Sequence, residues 1–145
     1  SIQTAFIFHH LDRPDLSHYW SRKVVAAAFS GLSPATGYNG DEDQGLMGSL
    51  AVLMKIGLFQ MNGGTDENPT YEIGSPIFDS VTITLNPDYY AGDSFVIKAV
   101  NNAPENIYID KARLNNSVLQ KNEIRHDDIV NGGELILNMT DAWGE

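Results

Sequence analysis

The sequence predicts an α+β chain, with helices first and an antiparallel β-sheet or small β-sandwich after them. Three observations predict it. The first 60 residues place apolar side chains at spacings of three and four, as on one face of a helix. The remainder carries short runs in which apolar and polar residues alternate. The two textures succeed one another without interleaving, which argues against strand–helix–strand units. The expected organisation is a helical segment over 1–60 and a β-rich segment over 61–145.

Thr4–Leu11 reads as the end of a helix that starts before residue 1. The stretch 16–29 aligns Leu16, Tyr19, Trp20, Val24, Ala27 and Ala28 on one face. Pro14 and Asp15 suit its start, and Gly31 and Pro34 stop it. The stretch 46–59 is apolar nearly all round, broken by Ser49 and Lys55. Such a helix is buried on most sides among other helices. This chain offers only two or three helices, so the expected neighbours lie upstream in a longer protein. After a turn-rich connection containing Gly63-Gly64 and Asn68-Pro69, strands are expected around Val81–Leu85, Phe95–Ala99, Ile107–Ile109 and Leu135–Leu137.

Composition narrows the function. The chain has 145 residues, with Lys+Arg 9 against Asp+Glu 19 and a net charge of -10. That balance leaves little to neutralise phosphates, so a nucleic-acid partner is not expected. Cysteine is absent, which excludes disulfides and thiolate metal sites. The longest apolar runs, Val24–Phe29 and Leu50–Met54, fall far short of the roughly 20 residues of a membrane span, and no signal-peptide pattern is present.

The stretch that carries chemistry is Gly37-Tyr38-Asn39-Gly40-Asp41-Glu42-Asp43-Gln44-Gly45, three consecutive acids just before an apolar helix. Like charges repel, so the helix N-terminus or a bound cation must compensate. One reading has Asp43 capping the helix in a solvated acidic turn. The other is catalytic: in an extended loop Asp41 and Asp43 would point the same way and converge. An EF-hand calcium loop fails in detail, because the required glycine would fall at Gln44 and the bidentate glutamate at Leu50. A carboxylate favoured in its ionised form suits a base that activates water, and the proton donor must then come from elsewhere. Glu72 and Glu105 lie in the strand half, and nothing in the sequence aims them at this loop.

Other residues have structural readings. His9-His10 are adjacent on a helix and diverge by about 100°, which suits a structural role better than a shared metal. His126 reads as hydrogen-bonded in a turn. Tyr89-Tyr90, Tyr108 and Trp143 could make a sugar-stacking platform, but strand aromatics more commonly pack at cores and edges.

Four segments, in order, resemble glycoside hydrolase family 92: Gly40-Asp41-Glu42-Asp43-Gln44-Gly45-Leu46-Met47, Tyr71-Glu72-Ile73-Gly74-Ser75-Pro76-Ile77-Phe78-Asp79, Asn101-Asn102-Ala103-Pro104-Glu105-Asn106-Ile107-Tyr108-Ile109, and His126-Asp127-Asp128-Ile129 with Gly132-Gly133-Glu134-Leu135. The resemblance implies an exo-α-mannosidase, α-1,2-mannosidase-like, that pairs a β-sandwich with an (α/α)6 barrel, of which residues 1–60 would be the end. It implies inverting hydrolysis of terminal α-mannosides on a mannose-containing glycan, with calcium as cofactor and an extracytoplasmic location. The acidic loop would supply the general base, with Asp41 and Asp43 as candidates. Asp43 would also be a candidate calcium ligand alongside ligands upstream. The family's general acid and its G-N-E-P calcium motif would both precede residue 1, and Ser1-Ile2-Gln3-Thr4-Ala5 resembles the stretch immediately downstream of that motif. Where many members have M-S-A-W-Y, this chain has Met47-Gly48-Ser49-Leu50-Ala51. The expectation is therefore a C-terminal fragment that is inactive alone and works with the upstream part of the same protein. The alternative is a non-catalytic β-rich module that binds glycans or packs against a partner.

Overall fold

The computed structural model describes residues 2–37 and 40–144. A 3-10 helix, Thr4–Leu11, leads to Asp12, whose left-handed backbone (φ 56°) turns the chain. Helix α1, Pro14–Ala28, comes next. Proline at its first position loses no hydrogen bond there, and its fixed φ suits the helix. Asp15 in the first turn is buried, and Arg13 holds it with bonds of 2.9 and 2.7 Å. That guanidinium keeps the Asp15 carboxyl below its ordinary range.

Helix α2, Leu46–Ile56, ends at Gly57 (φ 83°), whose N–H donates to the carbonyls of Leu53 and Met54. The left-handed cap favours glycine. It turns the chain directly into β1, Leu58–Phe59, which pairs antiparallel with β2, Thr70–Ile73. The polypeptide thus enters the sheet just before residue 60. On the other side of β2 lies β7, Glu123–Arg125, also antiparallel, giving a three-stranded sheet ordered β1-β2-β7.

A second sheet contains β3 (Ser80–Thr84), β4 (Ser94–Val100), β5 (Tyr108–Leu114), β6 (Ser117–Val118) and β8 (Gly133–Thr140). Its order is β3-β4-β8-β5-β6. The β4–β8 pair is parallel, so this sheet is mixed rather than wholly antiparallel. Parallel neighbours need a crossover. Here the crossover runs through β5, β6, β7 and the short helix α3, His126–Val130.

The two sheets share one core. Leu58, Ile73 and Ile124 from the smaller sheet pack with Phe95, Ile97, Ala99, Leu135, Leu137 and Met139 from the larger. Alternation places these side chains inward and Val96, Lys98 and Val100 on the other face. On β5, Ile109 and Ala112 are both buried despite their odd spacing. A register shift between Ile109 and Lys111 explains it, since one extra residue flips the face of every residue after it.

The helical half differs from its sequence reading in one informative way. The buried residues of α1 are Asp15, Ser17, His18, Ser21 and Val25. Its apolar stripe faces outward: Trp20 is 46% exposed, and Val24 and Ala28 border an open groove with Ala5, Phe8 and Met54. On α2 only Leu50 and Met54 are buried, and Val52 is 59% exposed. Neither helix has within the described residues the neighbours its apolar surface calls for.

The halves are joined by Arg22 of α1. Its Nε donates to Ser75 Oγ at 2.9 Å and its Nη2 to Asn102 Oδ1 at 2.6 Å. Asn102 in turn donates to Asp79 Oδ1 at 3.2 Å. Ser75, Asp79 and Asn102 belong to two of the segments that carry the family resemblance. Those segments therefore converge on one clamp between helix and sheet.

Candidate functional site

The acidic loop enters α2 through three successive left-handed residues: Asp43 (φ 52°), Gln44 (φ 60°) and Gly45 (φ 94°). Two of them carry a Cβ, and each such residue costs about 1–2 kcal/mol. The extended backbone that would point Asp41 and Asp43 the same way is therefore not what the chain adopts. The helix is capped by neither aspartate. Its N-cap is Gly45, which supplies no side chain. Glu42 takes that role from a distance: its Oε1 accepts the Gly48 N–H at 2.9 Å, and its carbonyl accepts the Met47 N–H at 3.2 Å. One of the three carboxylates is thus occupied by the free N–H groups of the first turn, where an anion is favoured.

Asp41 and Asp43 are placed differently. Asp41 borders a cavity of about 140 Å³ together with Glu42, Phe29, Met47 and Lys55. Both aspartates are exposed, but Asp43 is not among the residues that border that cavity. Tyr38 and Asn39, at the front of the loop, lie outside the described residues, as does Ser1. Among the described residues no group of three or more His, Cys, Asp or Glu could hold a metal ion. Calcium takes six to eight oxygen ligands. The described residues alone do not make such a site.

The remaining chemistry lies at the other end of α1. Pro14 borders a second, polar cleft of about 490 Å³ that also includes His9, His10, Asp12, Glu72 and Trp143. Glu72 is 7% exposed; its Oε2 accepts the Met61 N–H at 3.1 Å, and burial pushes its carboxyl above the ordinary value. His9 Nε2 lies 3.1 Å from the Ile73 carbonyl, which fixes the proton on that nitrogen, and burial lowers its pKa. Behind it His18 is fully buried, and burial drives its pKa down to about 3. His9 and His18 meet at 6.2 Å, and His18 meets Trp143 edge-on at 5.9 Å. His126 is hydrogen-bonded, as expected, to the Tyr71 hydroxyl at 3.3 Å. Glu105 is exposed. Since α1 has 15 residues, its ends, and the two cavities they border, are on the order of 20 Å apart.

Sequence reasoning finds the acidic loop but misses Arg22 and His18. Arg22 has a signal, because its partners sit in the family-like segments. His18 has none, because a histidine on a helix reads as polar surface.

This chain is similar to known proteins over nearly its whole length. The family model described as the glycosyl hydrolase family 92 catalytic domain matches residues 1–141. An uncharacterized secreted glycosidase of Arthroderma benhamiae is 32% identical over 149 residues, covering 99% of this chain and 18% of that protein. A family GH92 inverting mannosidase of Bacteroides thetaiotaomicron superposes with a TM-score of 0.73 at 36% identity, covering 89% of this chain and 16% of that one. A GH92 α-mannosidase of the same organism, solved with mannoimidazole, gives a TM-score of 0.84 at 24% identity, covering 97% and 17% respectively, and shares the fold. The chain thus spans less than a fifth of the curated relative it matches. No helix among the described residues is long and apolar enough to cross a membrane.

Proposed function

Because the chain belongs to glycosyl hydrolase family 92, we propose that it supplies the acidic-loop wall of an active site that hydrolyses terminal α-mannosides with inversion. That site belongs to a longer protein working on mannose-containing glycans outside the cytoplasm. The observation that supports this reading is the division of labour in the loop. Both Asp41 and Glu42 border the adjoining cavity, but the Glu42 carboxylate is engaged by the Gly48 N–H of the helix.

Asp41 is the base in this reading. A water attacks the anomeric carbon from the face opposite the leaving oxygen and passes a proton to the Asp41 carboxylate. The new C–O bond forms as the glycosidic C–O bond breaks, and configuration inverts. The leaving oxygen must be protonated by a second carboxyl, roughly 6.5–9.5 Å from the first. Glu72 is suitably raised in pKa but lies at the far end of α1, so the acid comes from outside this chain. Asp43, exposed in the left-handed turn just before α2, orients the water or reaches a cation. A calcium ion, when bound, would hold sugar hydroxyls; Asp43 supplies only one carboxylate toward it, so its other ligands would lie outside the described residues.

The test is Asp41→Asn in the longer protein. It should lower kcat by about 100-fold or more, and proton NMR of the unmutated protein should show β-mannose as the first product. Unaltered turnover in Asp41→Asn would remove Asp41 from the mechanism, and initial release of α-mannose would exclude inversion. The 145-residue chain alone should show no hydrolysis.

A further inference from the structure

The polar cleft beside Glu72 is not explained by the acidic loop, which lies on the order of 20 Å away along α1. Its volume, about 490 Å³, falls among those of small-ligand sites, roughly 300–1,000 Å³. Two features of its wall need a reason. First, Glu72 and Glu123 sit directly opposite each other on β2 and β7, and both border the cleft. Like charges directly across a strand pair are destabilising. Second, Trp143 borders the same cleft, packed against His18 and yet 39% exposed.

The chemistry of the wall decides what would fit. Asp12, Glu72 and Glu123 face a single cation, Lys121, which disfavours an anionic ligand. Lys121 already lies 3.8 Å from Glu123, which lowers the demand for a cationic ligand. No cluster able to hold a metal is present among the described residues. What the wall offers is hydroxyl recognition. Two carboxyl groups on adjacent strands project from Cβ atoms about 5 Å apart. The Asn122 amide and His10 stand beside them, and an indole gives a flat apolar surface.

We propose that this cleft is a second, non-catalytic subsite for a neutral pyranose, in which Glu72 and Glu123 bond two vicinal hydroxyls while Trp143 stacks on the C–H face of the ring. The carboxyl oxygens of Glu72 and Glu123 accept from sugar hydroxyls. The Met61 N–H on Oε2 holds that carboxyl in place.

The chain contains two tryptophans, so Trp20→Phe leaves Trp143 as the sole indole emitter. Titrating that variant with methyl α-D-mannopyranoside should change its emission saturably, with a Kd of about 1–10 mM. In the same background, Glu72→Gln, which keeps an acceptor for Met61, and Asn122→Ala should each weaken binding about fivefold or more. A flat response up to about 100 mM sugar, or a response unaltered in both variants, would overturn the proposal. So would saturation by ethylammonium chloride or calcium chloride with none by the sugar. Turnover plays no part in this readout, so its failure leaves the reading of the acidic loop untouched, and the converse holds as well.

Discussion

Acidification from pH 7 to pH 5 should destabilise the fold through one buried imidazole. His18 has no exposed surface, and burial drives its pKa from 6.5 to about 3. The His9 ring lowers it further, while Asp15 and the Ile73 carbonyl act in the opposite sense. In the unfolded chain the same imidazole titrates near 6.5. Below that pH the unfolded state binds a proton that the folded state refuses. The stability present above pH 6.5 is therefore lost progressively until the folded pKa near 3 is reached. Each pH unit within the window costs up to about 1.4 kcal/mol, and the interval from 7 to 5 sums to about 2 kcal/mol. Other groups bear on the same measurement. His9, also lowered by burial, adds in the same direction. Asp15, held low by Arg13, loses its contribution only below its unfolded pKa near 3.9 and is silent in this interval. Glu72, raised by burial, favours the folded state on acidification and offsets part of the loss. A His18→Leu variant isolates the imidazole. Urea unfolding monitored by near-ultraviolet circular dichroism at both pH values should show the unaltered chain losing about 2 kcal/mol more than the variant. Equal losses would refute the assignment.

The packing sets three further outcomes. Arg22→Lys keeps the charge but cannot span Ser75 and Asn102 together, and should lower stability by about 1–3 kcal/mol in urea unfolding. The 145-residue chain should self-associate in sedimentation through the groove that Trp20, Val24 and Met54 border, and Trp20→Lys should shift it toward monomer. Gly57→Ala forces a Cβ to within 2.9 Å of Pro76 Cδ at a φ of 83°, and should lower the melting temperature by an amount equivalent to about 1–2 kcal/mol or more.

The strands are legible because one face of each is buried and the other is not. Phe95-Val96-Ile97-Lys98-Ala99 writes its alternation directly into the sequence. The parallel pairing of β4 with β8 is not legible, because alternation records which face is buried and says nothing of the neighbour's direction. The short strands β2 and β7 escape for a related reason. At four and three residues they are too brief to show a period. At the acidic loop, sequence locates the carboxylates but not their directions. Those depend on the left-handed run Asp43-Gln44-Gly45, and only Gly45 announces such a conformation.

Helix α1 shows why periodicity and burial can point to opposite faces. Spacing identifies its apolar stripe, yet the stripe it buries here is Asp15, Ser17, His18, Ser21 and Val25. A polar stripe is buried only where its groups are matched or neutral. Asp15 is paired with Arg13, Ser21 Oγ donates to the His18 carbonyl at 3.0 Å, and His18 is held uncharged, while Ser17 Oγ and both His18 ring nitrogens find no partner among the described residues. That arrangement is expensive for a helix whose other face is apolar, unless the apolar face is buried as well. A helix covered on both faces lies between two layers. One layer is the 3-10 segment and the sheet. The open groove beside Trp20 is where a second layer would seat. The same groove borders Met47 and Phe29, which also border the Asp41 cavity. A layer seated in that groove would therefore also abut the wall of the Asp41 cavity, so covering the apolar groove and narrowing that cavity go together.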